Sequence, residues 1–523
     1  MKPQITVIDF GGQYAHLIKR RVRDLGVNAE VVSSEKFNFT ESEAKGIILS
    51  GGPRSVLEPN APTCDIGVFT QEKTPVFGIC YGHQLMAQAL GGKIETGKGG
   101  EYGPTKVNII HHDPIFRGLE DTIEVLMSHG DSVAKVPEGF TITSITENSR
   151  VSSMQSVPPR LCGVQFHPEV DDTPKGNEML WNFVSEVAKC EKDWTIDSYI
   201  KEAMDYIDRT VKGRDVIMFA SGGVDSTVAA TLLGKARKTG GAVDRIHVVH
   251  IDNGCMRLNE SKQVVEYLSK LAGLEDLTLE DASEYFLEQL KGATDPEDKR
   301  KRIGNAFGYV QQQVADRLKL SPDTMLCQGT LYTDTIESGK GVGNKAAKIK
   351  THHNVGCKFI EDKKKAGLLV EPNNDWYKDQ ARKIGRQLGL PAEYVDRQPF
   401  PGPGLAIRIV DQEVTREKCE LLRKTEAIYE EEIKKSGKES EIKQYFAALL
   451  STRAVGVMGD ERTYLPMIAL RAVVTQDFMT SRPYQMPWDL LQRIGARIVN
   501  EVKGVNRVLY DISTKPPATI EFE

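Results

Sequence analysis

The feature that most constrains this fold is a recurring unit in which a short apolar run ends in a glycine-bearing turn and a helical pattern follows. The unit occurs at residues 5–12, 46–53, 75–82 and 215–223. Continuous apolar runs of this length are typical of strands that are buried on both faces of a parallel sheet. The pattern therefore predicts a multidomain α/β protein whose reactive groups lie on the turns at the carboxyl ends of the strands.

Length and composition limit the classes of protein that fit. A chain of 523 residues predicts about three domains, and 40% hydrophobic residues exclude dominant disorder. The 68 basic and 73 acidic residues give a net charge of -5, which argues against nucleic acid as the main partner. The N-terminus does not resemble a signal peptide, and no apolar run has the length of a membrane span. We therefore expect a cytoplasmic protein without a membrane partner.

Cys80 is the cysteine whose surroundings predict reactivity. The eight cysteines are scattered without a CxxC pair, which disfavours a disulfide framework or a zinc site. Cys80 follows the strand-like run 75–80 and precedes a helical pattern, with Gly78 and Gly82 on either side. This arrangement is the sulfur version of a nucleophile elbow, in which the helix N-terminus favours the thiolate. The elbow alone leaves a small buried structural cysteine equally open.

A base and an acid for this cysteine occur together in Gln165-Phe166-His167-Pro168-Glu169. Residues two apart on an extended segment point to the same side, so Glu169 can orient His167. The pattern predicts a catalytic triad of Cys80, His167 and Glu169. The backbone N–H groups of Gly52 and Tyr81 are predicted to form the oxyanion hole.

A second site is predicted at Ser221-Gly222-Gly223-Val224-Asp225-Ser226-Thr227, between a strand-like run and a helix. Backbone N–H groups and hydroxyls at a helix N-terminus can bind the phosphates of ATP, although the sequence is not a Walker A motif. Asp225 beside phosphate predicts Mg2+ between them, and Asp252 is expected near the adenosine. An ordinary βα turn is the alternative.

Three ordered motifs, GGP (51–53), GICYGHQ (78–84) and GVQFHPE (163–169), closely resemble the class I glutamine amidotransferases. SGGVDST (221–227) resembles the pyrophosphate loop of the N-type ATP pyrophosphatases. The resemblance implies an amidotransferase α/β domain at 1–193. It also implies an ATP pyrophosphatase domain of the adenine-nucleotide α-hydrolase-like type, with a parallel sheet, at 194–398. A small α+β dimerisation and XMP-binding domain would follow at 399–523.

This fusion resembles the family of glutamine-hydrolysing GMP synthases, and segments such as QGTLYTDTIES (328–338) and PFPGPGLAIR (399–408) extend the match. The resemblance implies a homodimeric ligase of purine biosynthesis that uses ATP with Mg2+. Glutamine would supply ammonia, and XMP would become GMP through an adenyl-XMP intermediate. A PP-loop RNA-modifying enzyme with a fused glutaminase is the alternative, but the chain lacks the cysteine pairs and the basic surface that such an enzyme needs.

The resemblance also carries over individual residues. It implies that XMP is contacted by Arg300, Gln444, Arg507, Lys515, Ile520 and Glu521, and that Lys350 belongs to a lid over the adenylated intermediate. The sequence departs from the family pattern in GCKFIEDKKKAG (356–367) and EPNNDWYKDQAR (371–382). These departures concern the mobile loop that we predict around the lid and the packing beside it.

Overall fold

The computed structural model of the protein describes residues 2–112, 114–158, 160–240, 243–271, 274, 276–332, 358–475 and 480–523. These residues form two compact units, the first ending at Ser198 and the second beginning at Tyr199. In the second unit, one hydrophobic cluster contains side chains from both sides of position 399. The division into three domains at 193/194 and 398/399 stays a prediction. The lid residue Lys350 lies outside the described residues.

The first unit is built on a nine-stranded sheet with the order β2-β1-β3-β4-β9-β8-β7-β5-β6. Its strands are β1 Ile5–Asp9, β2 Ala29–Ser33, β3 Gly46–Leu49, β4 Val76–Ile79, β5 Lys93–Ile109, β6 Thr122–Lys135, β7 Phe140–Ile145, β8 Ser153–Ser156 and β9 Leu161–Val164. The segment from β2 to β9 is parallel and the remaining pairs are antiparallel. The strands predicted at 5–9, 46–50 and 75–80 are confirmed to within one residue.

Both faces of the parallel strands are covered. Val7 and Ile48 belong to one hydrophobic cluster, while Ile8 and Leu49 belong to another. This explains why these strands are continuously apolar. The helices of this unit are α1 Ala15–Asp24, α2 Gly67–Thr70, α3 Tyr81–Ala89 and α4 Gly176–Asn182, with a 3-10 turn at Phe39–Glu41 and a π-helical turn at Phe183–Val187.

The polar segment 189–197, which the composition predicts to be a linker, packs on the first unit. Trp194 is 7% exposed, and the Arg23 guanidinium lies 3.9 Å from its ring centroid. The Asp193 carboxylate accepts a hydrogen bond from the Asn28 N–H at 2.8 Å. Side chains of the segment 189–197 therefore hold it against the rest of the first unit. Helix α5, Ile196–Val211, begins here and continues into the second unit.

The second unit contains two sheets. The first is parallel, with the order β12-β11-β10-β13-β14. Its strands are β10 Arg214–Phe219, β11 Val243–Asp252, β12 Asp276–Asp281, β13 Met325–Cys327 and β14 Leu369–Val370. The second is mixed, with β15-β16-β17-β18 in order and β19 beside β17. Its strands are β15 Ile409–Val410, β16 Gln444–Met458, β17 Glu461–Val474, β18 Arg482–Pro483 and β19 Arg507–Tyr510.

The helices of the second unit lie between these strands. They are α6 Val224–Gly240, α7 Glu260–Ser269, α8 Ser283–Leu290, α9 Pro296–Arg317, α10 Lys358–Lys365, α11 Lys378–Gln387, α12 Ala392–Val395, α13 Arg416–Lys435 and α14 Trp488–Glu501, with 3-10 turns at Gly404–Arg408 and Glu439–Glu441. Apolar residues at 490, 491, 494 and 498 predict a helix over 487–502. The structure confirms it as α14, which buries Leu490, Ile494 and Ile498. Among the helices that the structure describes, none combines the length and apolar character needed to cross a membrane.

Gly329 allows the chain after β13 to approach the N-terminus of α6. A Cβ at this position would lie 2.8 Å from the carbonyl carbon and oxygen of Asp225. Gly329→Ala should lower the unfolding temperature, with a cost of about 1–3 kcal/mol for overpacking. Gly240→Ala is the control, because among the described residues its Cβ would have only the Asp208 carboxylate within 4 Å, at 3.7 Å. We expect the control to be neutral or to stabilise by up to about 1 kcal/mol.

Thermal unfolding followed by circular dichroism compares the two variants with the unchanged chain. Equal unfolding temperatures for Gly329→Ala and the unchanged chain would contradict the close approach.

Candidate active sites

Cys80 occupies a sharp turn between β4 and α3. Its backbone has φ 50° and ψ -102°, a conformation that is strained for a non-glycine residue. A Cβ on Gly78 would lie 2.7 Å from the Gly82 carbonyl oxygen, and one on Gly82 would lie 2.4 Å from Leu49 Cβ. The two flanking glycines are therefore required by backbone contact, and the predicted elbow geometry is present.

The sulfur of Cys80 lies among groups contributed by three neighbouring segments. Gln165 Nε2 lies 3.7 Å from the sulfur, and the Ser128 carbonyl oxygen lies 3.8 Å from it. Gln84 Nε2 in turn donates to Gln165 Oε1 at 3.1 Å. Gln84 and Gln165 were not singled out from the sequence, although both stand inside the motifs that carry the resemblance.

His167, the predicted base, contacts the predicted acid Glu169. Its Nδ1 is 2.8 Å from Glu169 Oε1, and both side chains are buried. Because Nδ1 is engaged by the carboxylate, Nε2 is the nitrogen left for the sulfur. Burial alone would lower the pKa of His167, but the charge of Glu169 and the contact with Cys80 outweigh it and hold the pKa well above 6.5.

Two other buried groups of this unit, His83 and Cys162, have pKa values that keep them uncharged. Burial and the neighbouring His129 lower the pKa of His83 to about 3, so His83 stays neutral in the core. Burial raises the pKa of Cys162 to about 12, so its thiol stays protonated. His167, by contrast, has its pKa raised and lies in hydrogen-bond contact with Glu169.

The backbone of Gly51 and Gly52 lies close to the triad and to Tyr81. A Cβ on Gly51 would lie 3.0 Å from His167 Cε1 and 3.8 Å from Cys80 Cβ, and one on Gly52 would lie 3.0 Å from Tyr81 Cγ. Within the described part of the chain, the N–H groups of Gly52 and Tyr81 have no acceptor. Their assignment as the oxyanion hole stays a prediction.

The second site lies at the carboxyl edge of the parallel sheet in the second unit. Gly222 has φ 81°, and a Cβ there would lie 2.3 Å from Val264 Cγ2. The Ser221 hydroxyl accepts from the Gly223 N–H at 3.3 Å and lies 3.2 Å from the Ser226 hydroxyl. The turn between β10 and α6 is thus shaped by its own hydrogen bonds. Asp252 ends the adjacent strand β11, at the same edge.

Asp225, on the first turn of α6, contacts two residues from later in the chain. Lys378 Nζ lies 2.5 Å from its carboxylate, and Asn373 Nδ2 donates to its carbonyl oxygen at 2.8 Å. Sequence reasoning did not select Lys378, which stands in a segment noted only because it departs from the family pattern. Proximity in the fold is the signal that identifies this lysine.

Four of the six predicted XMP contacts lie around the C-terminal residues. Gln444 Nε2 donates to Glu521 Oε1 at 2.7 Å, and Ile520 packs with Phe446 and Val473. Arg300 donates to the Glu523 carbonyl oxygen at 2.6 Å. The sequence missed Arg408, a fully buried cation that donates to both carboxylate oxygens of Glu521 at 2.9 and 3.1 Å.

The remaining two predicted contacts differ in position. Lys515 is joined through its backbone to Ser481, with N···O distances of 2.9 Å in both directions. Arg507 pairs with Met467 in the middle of β17, whereas Gln444 pairs with Val473, six residues further along that strand. Six residues of strand correspond to about 20 Å. Arg507 is therefore not brought together with Gln444 and Glu521 in this chain.

The ion pair with Glu169 has a consequence for stability that depends on pH. Because the pKa of His167 lies above 6.5 in the folded chain, the imidazolium stabilises the fold fully below about pH 6.5, and this is lost as pH rises through the folded pKa. Glu169→Gln removes the carboxylate, and burial then lowers the pKa. We expect the difference in unfolding temperature between the two chains to be largest at low pH and to shrink as pH rises.

Thermal unfolding between about pH 5 and pH 9 covers the relevant titration. Glu95→Gln is the matched control, since Glu95 forms an exposed ion pair with Lys93 at 3.2 Å. A difference for Glu169→Gln that stays constant with pH would contradict the assignment of His167.

Comparison with known proteins identifies the family of the chain. Residues 6–187 match the model of the class I glutamine amidotransferases, and residues 431–522 match that of the GMP synthase C-terminal domain. A protein of Symbiobacterium thermophilum, named GMP synthase [glutamine-hydrolyzing], is 47% identical over 522 residues, which are 99% of each chain. Relatives with the same name from Acetivibrio thermocellus (99% of both chains) and Bacillus subtilis (99% of this chain, 98% of the relative) are each 46% identical over 523 residues. The chain therefore belongs to the family of the glutamine-hydrolysing GMP synthases.

Proposed function

We propose that this chain converts XMP to GMP, with glutamine as the ammonia donor and ATP cleaved to AMP and pyrophosphate. The observation that carries the proposal is the presence of two centres on one chain, the Cys80–His167–Glu169 set and the pyrophosphate loop at 221–227. The family relatives support the same reaction and do not favour an RNA-modifying enzyme.

In the first unit, the Cys80 sulfur would attack the side-chain amide carbon of glutamine. His167 takes the thiol proton and passes it to the leaving nitrogen, which departs as ammonia and leaves a thioester. Water activated by the same imidazole then hydrolyses the thioester to glutamate. Gly52 and Tyr81 would donate their N–H groups to the oxyanion in both steps.

In the second unit, the loop from Ser221 to Thr227 would bind the phosphates of ATP, and Asp252 would lie near the adenosine. The 2-oxygen of XMP attacks the α-phosphorus, the bond to pyrophosphate breaks, and adenyl-XMP forms. Ammonia then adds at C2 and AMP leaves, which gives GMP. Adenylation is needed because an amide-like oxygen is a poor leaving group, and Lys378 beside Asp225 supplies positive charge near the departing phosphates.

Asp225 has the chemistry expected of a magnesium ligand. Its carboxylate lies on the first turn of α6, beside Lys378, and Mg2+ is commonly bound by one or two carboxylates together with substrate phosphates. We propose that Asp225 holds the ion, which would neutralise charge on the leaving pyrophosphate. No cluster of three or more metal-ligating side chains occurs in the described residues, so the phosphates would complete the site.

We propose that XMP binds beside the C-terminal residues. Gln444, Ile520 and Glu521 lie together there, and Arg300 reaches the terminal residue Glu523. Glu521 would accept hydrogen bonds from ribose or base, while Arg300 and Lys515 would bind the phosphate. Lys350 would belong to the lid. The three predicted domains would divide the work into ammonia production, ATP activation and XMP binding, in the cytoplasm where these nucleotides occur.

We propose a homodimer because Arg507 lies away from the other XMP residues. The outer part of the β16–β17 hairpin exposes an apolar stripe in which Val457 is 76% and Tyr464 60% exposed. Val455, on the same side of β16 as Val457, pairs directly with Tyr464. A second copy of the chain that covers this stripe would bring its Arg507 to the XMP site of the first.

Two substitutions separate the two half-reactions. Cys80→Ala should lower glutamine-dependent GMP formation by about 10³-fold or more and leave ammonia-dependent formation intact. Asp225→Asn should abolish GMP formation from both donors and leave residual glutaminase activity. The assay compares AMP release in the presence of XMP with AMP release in the presence of other nucleotides. It is run once with glutamine and once with ammonia as the nitrogen donor. Cys190→Ala is the control and should retain both activities. Loss of both activities in a folded Cys80→Ala chain would refute this division.

Heterodimers test whether Arg507 acts across the interface. Arg300→Gln and Arg507→Gln homodimers should each be inactive. Their purified heterodimer would hold one intact site of two and should recover about half the activity of the unchanged dimer. A heterodimer of the unchanged chain with the double variant is the control, because both of its sites are damaged if Arg507 acts in trans. Activity in the control and none in the first heterodimer would place Arg507 in its own chain's site.

A further inference from the structure

A row of charged side chains of alternating sign lies between the pyrophosphate loop and the residues proposed to bind XMP. In spatial order this charge row consists of Arg397, Glu260, Arg257, Glu426, Arg408 and Glu521. Side-chain exposure ranges from 0% at Arg408 to 21% at Arg397. Charges this well buried are costly unless each has a partner of opposite sign, so the order of signs is a structural requirement.

One end of the charge row touches the pyrophosphate loop. Arg397 Nη1 lies 3.5 Å from the carbonyl oxygen of Gly222, the glycine with positive φ in that loop. Arg397 also forms an ion pair with Glu260 at the start of α7. Arg397 therefore connects the backbone of the loop to the carboxylate of Glu260.

The other end touches the proposed XMP site. Arg408 Nη1 lies 2.5 Å from Glu426 Oε1, and Arg408 donates two hydrogen bonds to Glu521 at 2.9 and 3.1 Å. The guanidinium carbon lies 4.4 Å from the Phe446 ring centroid. Glu521 also accepts from Gln444. A ligand that engages Glu521 must therefore change the balance of contacts at Arg408.

Arg257 joins the two ends and is the weakest link between them. Its Nη1 is 3.9 Å from Glu260 Oε1, and its Nε is 4.0 Å from Glu426 Oε2. Both distances exceed a hydrogen bond. Its guanidinium carbon lies 4.2 Å from the Phe400 ring centroid, and its Nη2 has no hydrogen-bond partner among the described residues. Arg257 is thus held between two carboxylates by charge and stacking, and no side-chain hydrogen bond fixes its distance from either one.

The charge balance depends on this residue. Without Arg257, Arg408 alone would face Glu426 and Glu521, one positive charge against two negative ones. Burial raises the pKa of Glu426, and Arg408 and Arg257 counteract that rise. Arg397 and Glu260 would remain a balanced pair. Loss of Arg257 therefore leaves one unbalanced negative charge on the XMP side of the row, at Glu426 and Glu521.

We propose that Arg257 is a positioning residue that couples occupancy of the XMP site to the pyrophosphate loop. When XMP engages Glu521, Arg408 shifts its pairing towards Glu426, and Arg257 is displaced towards Glu260. Glu260 then shares its charge between Arg257 and Arg397, which changes the contact of Arg397 with the Gly222 carbonyl. The inference rests on the proposed function, because it takes XMP and ATP to bind at the two ends of the row.

The test measures binding of XMP to the full-length chain by calorimetry, with and without a non-hydrolysable ATP analogue. In the unchanged chain we expect each ligand to strengthen the other by about tenfold, equivalent to about 1.4 kcal/mol. Arg257→Gln should weaken XMP binding and reduce the coupling to a factor near one. Arg317→Gln is the matched control, since Arg317 forms an exposed ion pair with Glu280, and it should keep the full coupling.

A second substitution separates charge positioning from simple support of the fold. Arg257→Gln with Glu426→Gln restores one positive charge against one negative charge at Arg408. XMP affinity should recover in this double variant while the coupling stays lost, because the bridge to Glu260 is still missing. A purely structural role for Arg257 would make the double variant worse than either single one, and that result would overturn the proposal.

The remaining outcomes also decide the question. A folded Arg257→Gln chain with unchanged coupling overturns the proposal, and so does an unchanged chain whose ligands bind independently. If Arg257→Gln does not fold, Arg257→Lys takes its place. It should keep XMP affinity and lose most of the coupling, and full coupling in it would overturn the proposal. An unchanged chain that releases no AMP with XMP would refute the proposed function itself, before any variant is compared.

Discussion

Both reactive centres depend on one constraint, the close approach of a strand end to the start of a helix. At Cys80 the backbone of the turn lies against Leu49, and at Gly222 it lies against Val264, so that a side chain at the adjoining glycines would clash. In each turn the N-terminus of the helix, with its N–H groups and the positive end of its dipole, follows the strand end directly. Because β3, β4 and β9 are neighbours and parallel, their ends bring Gly51, Cys80 and the His167 segment to one edge. The chemistry of the first unit follows from that alignment.

The second general constraint is the pairing of buried charge. The pKa of the buried His167 stays above its usual value because Glu169 and Cys80 lie against the imidazole. In the second unit, the fully buried Lys299 contacts Glu523 and the Ile409 carbonyl, each at 2.6 Å, and so fixes the end of the chain beside Arg300. The charge row extends the same principle over a longer distance. Such sets contribute less to stability than apolar packing would, but they hold polar groups in defined positions.

The sequence predicted the parts of each site that are local. The elbow, the His-x-Glu pair and the SGGVDST loop each fit within a few residues, and their glycines, strand run and helical spacing are all visible in the chain. It did not predict Lys378, which reaches Asp225 from 153 positions away, or Arg408, which reaches Glu521 from 113 positions away. Nothing in the local pattern distinguishes these cations from exposed ones, since most lysines and arginines face solvent. The segment 189–197 was likewise predicted as a linker from its polarity, and only the packing of Trp194 shows otherwise.

The sequence by itself determined the α/β class, and it was enough to predict the nucleophile with its base and acid and the phosphate-binding turn, because these depend on backbone geometry and hydrogen bonds over short separations. Tertiary structure alone decided which distant charges meet. It placed Arg507 beside the middle of β17, six residues along that strand from the partner of Gln444, and set Arg257 between Glu260 and Glu426. The reason is physical: strand register and the balance of buried charge are properties of the packed sheet and core, and no short stretch of sequence contains them.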